Sequence, residues 1–447
     1  MKLYPLNTSQ EIVDLQTKYS LFRRVANILF STTVEEGFDR ELMHKAIDKT
    51  IERNDCLRLT FVKKDKKILQ YFVPERTIGS IPEKDFRSAS EMEAFLRKFR
   101  RSEARIFKGR PLEVVFAKNP DRKDIIIFKI SHYVADTYGI GTIVGDLFAV
   151  YRALASGSEL PPAPGSFEKL LEKEMEYKAD TSAFEKDRQF FEEYYTKRHP
   201  EHPVYCGIHG NGSDRWLKQK AKGRFSMPYL FVKCDTEGYR FVLPSSLVRE
   251  VGKWCEESGV TMSCFFCYIC AVAASKLNDN APYQIPLELL NNRGTLAERK
   301  AAGTKVQVIS LYTIVDHEKS FKENLMYFNG EQSEFYRHTK MTYLEVQTIQ
   351  HEFWKYSLLS QMSNFCFSFI PFSTPDGVTM QIHSNGKGAL TAYIAMMLDV
   401  KTGQVFVNYD IQTKMTTPAQ LADFQNLCVQ ITEKVIAQPD KKLSEIL

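Results

Sequence analysis

The sequence predicts an α/β protein built in two parts, and three features carry that expectation. Helix-spaced and strand-spaced apolar patterns alternate along the chain. The stretch Ser156–Ser166, SGSELPPAPGS, interrupts both with prolines and glycines and marks a boundary between residues 1–165 and 166–447. Apolar residues make up 43% of the 447, enough to bury a large core and to exclude a disordered, collagenous or coiled-coil chain. Sixty basic residues against 55 acidic give a formal charge of +5, which is not the footprint of a nucleic-acid binder but leaves room for an acidic partner. No window offers about 18 consecutive apolar residues, and the opening MKLYPLNTSQEIVDLQ has no apolar leader segment, so a cytoplasmic protein without a membrane span is expected. Nine cysteines, odd in number and scattered, suit reduced thiols.

Asp39 to Arg53 spaces Leu42, Ala46, Ile47 and Ile51 as a helix, and Cys56 to Phe61 alternates as a strand. Ile68 to Val73 reads as a strand, and Ser90 to Ala104 as a basic helix with Met92, Phe95, Leu96 and Phe99 on its apolar side. Leu112 to Ala117 and Asp124 to Ile130 flank Lys118-Asn119-Pro120-Asp121 as a hairpin, and the second run is apolar enough for a buried central strand. A helix follows, with Ile140, Ile143, Val144, Leu147, Phe148 and Tyr151 on one face, and stops before Gly157. Beyond the linker come charged helices to about Arg198, then a glycine-rich aromatic loop from His202 to Asp214. Tyr239 to Leu243 is a strand, Pro244-Ser245-Ser246 starts a helix, and Thr261 to Lys276 is apolar nearly all round, hence a buried helix. Strands are expected around Tyr283 to Leu287 and Val306 to Ile314, and a hairpin at Ala392 to Val400 with Gln404 to Tyr409. Thr417-Pro418 supplies an N-cap and first-turn proline for a last helix with a core stripe at Leu421, Phe424, Cys428, Ile431 and Val435.

Gly139-x-Gly141-x-x-x-Gly145 follows a strand and opens a helix, as a dinucleotide fingerprint would, but no second parallel strand with a ribose-binding acid follows, so helix packing is the expected use. Cys264, Cys267 and Cys270 fall on the apolar helix among Phe265, Phe266, Tyr268 and Ile269, which marks them as core residues, with no metal expected. His351-Glu352 lacks the second histidine of a zincin, and no nucleophile elbow or Walker loop is present. What remains is Ser131-His132-Tyr133-Val134-Ala135-Asp136-Thr137 at the end of the central strand. A neutral imidazole held there can accept a proton near pH 7. Asp136 could orient that ring or pair with a distant arginine.

The flanking motifs match a family. Tyr4-Pro5-Leu6-Asn7-Thr8-Ser9-Gln10, Arg53-Asn54-Asp55-Cys56-Leu57-Arg58-Leu59-Thr60-Phe61, Gly109-Arg110-Pro111-Leu112, Ser131 to Thr137, and Asn292-Arg293 with Gly303 occur in one order along nearly the whole chain. In that set the chain resembles the condensation domains of nonribosomal peptide synthetases, within the chloramphenicol-acetyltransferase-like acyltransferases that share an H-x-x-x-D-G core. The resemblance implies two similar α/β lobes with mixed sheets, a pseudo-dimer forming a V, with residues 1–165 as the lobe carrying the motif and 166–447 as the other. It places His132 at the catalytic histidine and Asp136 at the structural aspartate, with Arg293 as that aspartate's partner and Arg58 as the fallback.

By the same resemblance the reaction is transfer of an acyl or peptidyl group from a thioester of phosphopantetheine or coenzyme A to an amine or hydroxyl, with an acyl or peptidyl carrier protein as partner and no bound cofactor. Two positions depart from the pattern. Ser131 stands in place of a first histidine and Thr137 in place of glycine, where a branched side chain would narrow the channel for a donor's pantetheine arm. The departures keep open a non-catalytic docking module, and a coenzyme A-dependent alcohol acyltransferase is a second alternative. The basic run containing Arg97, Arg100 and Arg101 offers a docking patch for an acidic carrier, its bland counterpart being a solvated helix face.

Overall fold

The computed structural model describes residues 2–19, 23–102, 104–198, 208, 227–228, 235–355, 360–361, 363, 365–388, 392–413 and 415–447. Except for Ile208, the stretch 202–214 lies outside the described residues, as do Cys206 and Cys234. The fold is α/β with mixed sheets, and the chain divides into two compact units.

The first unit comprises Met1–Ala179, Asn291–Val306 and Phe372–Lys387. Its main sheet has five strands, in spatial order Val378–His383, Asn27–Val34, Asp124–Ser131, Leu112–Lys118 and Glu83–Asp85. Neighbours run antiparallel except the last pair, which is parallel. Asp124–Ser131 lies third of the five and is buried from Ile125 to Ser131, as its apolar run predicts. Two apolar layers cover the sheet. Helices Arg40–Arg53 and Thr137–Ser156 supply one, with Ile47, Ile51, Ile140 and Leu147 packed on Phe30 and Phe128. Helix Ala89–Phe99 supplies the other, with Leu96 buried and Phe95 and Phe99 packed on a core of Leu29, Val115 and Ile127. That helix stops five residues short of its expected end, and Cys56–Arg58, read as strand, forms a 3-10 turn before Leu59–Lys64.

The division differs from a single cut at residue 165, for three local reasons. The Asp55 carboxylate accepts from the Ser166 hydroxyl (2.7 Å) and the N–H groups of Phe167 (2.9 Å) and Glu168 (3.1 Å), so helix Phe167–Ala179 is anchored to the first unit. Strand Val378–His383 pairs with Asn27–Val34 over six residue pairs. Segment 291–306 returns to the start of helix Thr137–Ser156, as detailed below. The linker itself carries no regular element after Ser156, and Arg53 ties it down by donating to the carbonyls of Pro161 and Pro162 (both 2.9 Å).

The second unit comprises Asp180–Leu290, Gln307–Pro371 and Gly388–Leu447. Its six-stranded sheet runs Val306–Ser310, Leu287–Asn291, Cys366–Phe372, Ala392–Asp399, Val405–Gln412 and Thr236–Val242, with a parallel pair between Leu287–Asn291 and Cys366–Phe372. Helix Met262–Leu277, capped by the Thr261 hydroxyl, is buried from Cys264 to Ser275, so Cys264, Cys267 and Cys270 are core side chains. The seven described cysteines are all free and buried. Helix Pro418–Ala437 has its expected Thr417 cap and buries Leu421, Phe424, Cys428, Ile431 and Val435. No single helix among the described residues is long and apolar enough to cross a membrane.

Candidate active site

The strand Asp124–Ser131 delivers His132 to a turn that is fixed from both sides. The His132 N–H donates to the Ala26 carbonyl (2.6 Å), extending the pairing of Asn27 with Ser131, and the Val134 N–H closes the turn on the Ser131 carbonyl (2.9 Å). On the far side Asp136 is the N-cap of helix Thr137–Ser156, its Oδ1 accepting from the Gly139 N–H at 2.7 Å. Thr137 is therefore the first residue of the helix. Anchored at the sheet end and at the cap, the histidine has little backbone freedom.

Arg293 fixes the cap. Its Nη1 donates to Asp136 Oδ2 (3.0 Å) and its Nη2 to Oδ1 (3.3 Å), with side-chain exposures of 0% for Arg293 and 1% for Asp136. Two further Nη donors go to Asn291 Oδ1 (2.7 Å) and the Gly303 carbonyl (2.9 Å), Nε has no hydrogen-bond partner among the described residues, and the guanidinium carbon lies 4.8 Å from the centre of the Tyr138 ring. Asp136 Oδ2 also accepts from the Lys305 N–H at 2.7 Å, and the Asp136 N–H donates to the Gly303 carbonyl at 3.2 Å. A buried charge pair is tolerable when most of its remaining donors and acceptors are answered, as all but the Arg293 Nε donor are here.

Gly139 and Gly303 make that approach possible. A Cβ on Gly139 would overlap the Gly303 carbonyl oxygen, and Gly303 itself has φ +108° with Phe167 where its side chain would be. Gly141 and Gly145 face nothing within 4 Å, so the glycine pattern reduces to one close contact.

Among the described residues no hydrogen bond joins Asp136 to the His132 ring. Nδ1 of His132 is enclosed and meets no partner outside its own residue, while the side chain as a whole remains partly exposed. Burial pushes its pKa below the usual histidine value, and the Asp136 charge and the residue's own carbonyl oppose that shift. The ring is therefore neutral at pH 7, the form that can act as a base.

Arg58 is not brought to Asp136. Its Nη1 donates to the carbonyls of Val73 (3.0 Å) and Pro74 (2.9 Å), closing the end of strand Lys67–Phe72. The reason is local: Asp136 already has Arg293, and the 3-10 turn Asp55–Arg58 aims Arg58 along its own hairpin. Within the same motif Arg53 takes a role that composition and spacing did not assign, pairing with Asp146 on helix Thr137–Ser156 (Nη2 to Oδ1, 2.9 Å), and Asn54 donates to the same carboxylate (2.9 Å). The opening motif acts on the turn. Gln10 donates to the Tyr133 carbonyl (2.8 Å), Asn7 to the Thr304 carbonyl (2.9 Å) and Ser9 to the Val306 carbonyl (2.6 Å).

Ser131 is buried, accepts from the Tyr133 N–H (3.3 Å), and lines a cavity of about 970 Å³ within the first unit. In the basic run the three arginines differ. Arg97 is exposed, with Glu93 4.0 Å away, and Arg101 is exposed, whereas Arg100 donates to the Ser384 carbonyl (3.0 Å) and packs against Gly386.

A family model described as "Condensation domain" matches residues 1–447. A Bacillus subtilis plipastatin synthase subunit is 19% identical over 432 residues, covering 94% of this chain and 16% of that protein. Surfactin synthase subunit 1 of the same organism is 21% identical over 469 residues, covering 99% of this chain and 12% of that protein. The chain thus spans less than a fifth of the length of either relative. Among solved structures, the condensation domain from the Monacolin K polyketide synthase MokA superposes with a TM-score of 0.83 at 14% identity, covering 99% of each chain. The first condensation domain of the calcium-dependent antibiotic synthetase gives 0.81 at 14% identity, covering 100% of this chain and 99% of that one. The starter condensation domain of rhizomide synthetase RzmA, solved with C8-CoA, gives 0.81 at 17% identity, covering 100% and 98%.

Proposed function

The chain belongs to the condensation-domain family, and from that premise we propose that it transfers an acyl or peptidyl group from a thioester on a carrier protein or coenzyme A to an amine or hydroxyl. The observation that carries the reading is His132, neutral, partly exposed and fixed in a turn that Ala26, Asp136 and Arg293 hold from separate segments. A proton on Nδ1, turned to the residue's own carbonyl, leaves the Nε2 lone pair to take the proton of the attacking acceptor. The new bond forms between the acceptor heteroatom and the thioester carbonyl carbon, and the thiolate leaves with the proton returned from Nε2. Asp136 and Arg293 are positioning residues in this scheme. Thioester donors agree with the coenzyme A ester seen in the rhizomide synthetase domain.

Ser131 and Thr137 do not remove that base, so the transferase reading is preferred to a docking module. Intact-mass monitoring of acyl-carrier proteins, with and without amine or alcohol acceptors, tests it. Acceptor-dependent loss of the acyl group that disappears in His132→Ala is the expected result. No loss with either form, alongside normal carrier binding, would establish the docking module instead.

A further inference from the structure

Helix Thr8–Tyr19 turns a polar side inward. Of Ile12, Val13 and Leu15 only Val13 is buried, whereas Thr8, Ser9 and Gln10 all are, Gln10 at 0% exposure. Gln10, Asp14 and Thr17 stand at i, i+4 and i+7, on one face of the helix. All three meet the same residue, Tyr133, the neighbour of His132. The Gln10 amide donates to the Tyr133 carbonyl (2.8 Å), the Tyr133 hydroxyl donates to Asp14 Oδ1 (3.1 Å), and Thr17 Oγ1 lies 3.2 Å from that hydroxyl.

These contacts leave little slack. The second N–H of the Gln10 amide goes to Gln70 Oε1 (2.7 Å), and its oxygen accepts from Gln70 Nε2 (2.6 Å) and the Asn7 N–H (2.8 Å), so each hydrogen-bonding position of that buried amide is filled. Buried polar groups cost stability unless they are answered, and a network satisfied in this way holds its members in one arrangement. The Tyr133 ring meets Phe61 edge to face with centroids 5.5 Å apart, and the Tyr133 N–H donates to Ser131 Oγ (3.3 Å). Ring, hydroxyl, N–H and carbonyl of Tyr133 are thus each engaged. The peptide that joins it to His132 carries the carbonyl to which the Nδ1 proton turns in the transfer scheme above.

We propose that Tyr133 is a positioning residue for His132, and that Gln10, Asp14 and Thr17 clamp it so that the His132–Tyr133 peptide holds the imidazole with Nε2 free to take the acceptor's proton. The effect on transfer rests on the acyl-transfer reading, whereas the effect on the imidazole does not.

Two variants test it. Tyr133→Phe keeps the ring on Phe61 and removes only the hydroxyl, and Asp14→Ala removes its acceptor from the other side; melting temperatures check that both are folded. In protein labelled with 15N-histidine at about pH 8, the His132 ring signals are identified by their loss in His132→Ala. The parent should show one tautomer, protonated at Nδ1, and each variant a mixture of two. Turnover should fall about tenfold in each variant, as for a displaced catalytic group, with KM for donor and acceptor within about twofold of the parent. Tyr133→Phe combined with Asp14→Ala should lose no more than the deeper single variant, because both break one contact. An imidazole signature unchanged in folded Tyr133→Phe, or a rise in KM at constant kcat, overturns the proposal. A changed signature in a protein of which no form transfers an acyl group supports the clamp and removes the transferase reading instead.

Discussion

Asp136 and Arg293, 157 residues apart in the chain, meet in two charge-assisted hydrogen bonds inside the first unit, with both side chains essentially inaccessible to solvent. The same carboxylate caps the helix that follows His132 and receives the Lys305 N–H. One side chain therefore joins the turn, the helix start and the returning segment 291–306.

Removing either partner leaves a buried charge unanswered, so Asp136→Ala and Arg293→Ala should each lose on the order of 3 to 5 kcal/mol of stability. Urea unfolding of the two single variants and the double variant measures it. The double variant should lose clearly less than the sum of the singles, because the second deletion removes the orphaned charge. Strict additivity would show that the two side chains do not act as a pair.

For His132 the expected cost falls on rate. His132→Ala should lower turnover by about a hundredfold or more while leaving unfolding unchanged, the usual scale for a lost general base. Because burial lowers its pKa from 6.5, the neutral base persists below that pH, and the acid limb of the rate profile should lie under pH 6.5. Asp136 opposes the shift, so Asp136→Asn should move the limb to still lower pH. An acid limb above pH 7 in the parent would assign the limiting ionisation to another group.

Gly139 and Gly145 look alike in the sequence and differ in the structure. Gly139→Ala should destabilise by roughly 1 to 3 kcal/mol or more, because the added carbon meets the backbone oxygen of Gly303, which has no rotamer to change. Gly145→Ala, in an open helical position, should gain about 0.5 to 1 kcal/mol. Paired thermal melts decide between this contact and a site that needs all three glycines.

Period and punctuation explain which parts of this arrangement can be read in the sequence. The Asp124–Ser131 strand, the helix after Asp136 and the buried helix at Met262–Leu277 are long, strongly patterned runs, and each stands within a few residues of its expected place. The Thr417 cap is visible because a cap is a local hydrogen bond. Strand Asn27–Val34 carries Ser31, Thr32 and Thr33 in place of a clean alternation, so its central role is not visible in its own residues. Strand Val378–His383 belongs to the first unit only because its edge pairs with Asn27–Val34, a long-range choice that no local pattern encodes. Arg53 and Arg58 are five residues apart in one motif, and only the fold separates the one that holds Asp146 from the one that closes a hairpin.

The basic run divides in the same way. Arg97→Glu with Arg101→Glu should leave stability nearly unchanged and weaken carrier-dependent transfer through apparent affinity, most at low salt. Arg100→Glu should also destabilise, since its guanidinium holds the Ser384 carbonyl. Melting temperatures set beside transfer rates from a carrier and from a small pantetheine thioester separate the two effects. An equal loss with both donors in Arg97→Glu with Arg101→Glu would remove the docking role.

Glu288, in the second unit, gives a pH dependence of stability that is independent of transfer. It is 1% exposed, its oxygens accept from Gln332 (2.8 Å) and the Tyr336 hydroxyl (2.7 Å), and the thiols of Cys264, Cys267 and Cys366 are the other titratable groups around it. Burial pushes its carboxyl from 4.5 up to about 7 against the pull of those hydrogen bonds. Between those two values the folded chain holds a proton that the unfolded chain has released, so this residue's contribution is present at pH 4.5 and is lost as pH rises through 7. The loss is on the order of 1.4 kcal/mol for each unit of that displacement. Glu288→Gln keeps a neutral acceptor at the same place and should remove this dependence, so the difference in unfolding free energy between variant and parent should grow in the variant's favour from pH 5 to pH 8. A difference that stays constant over that range would mean that Glu288 is ionised in the folded protein throughout.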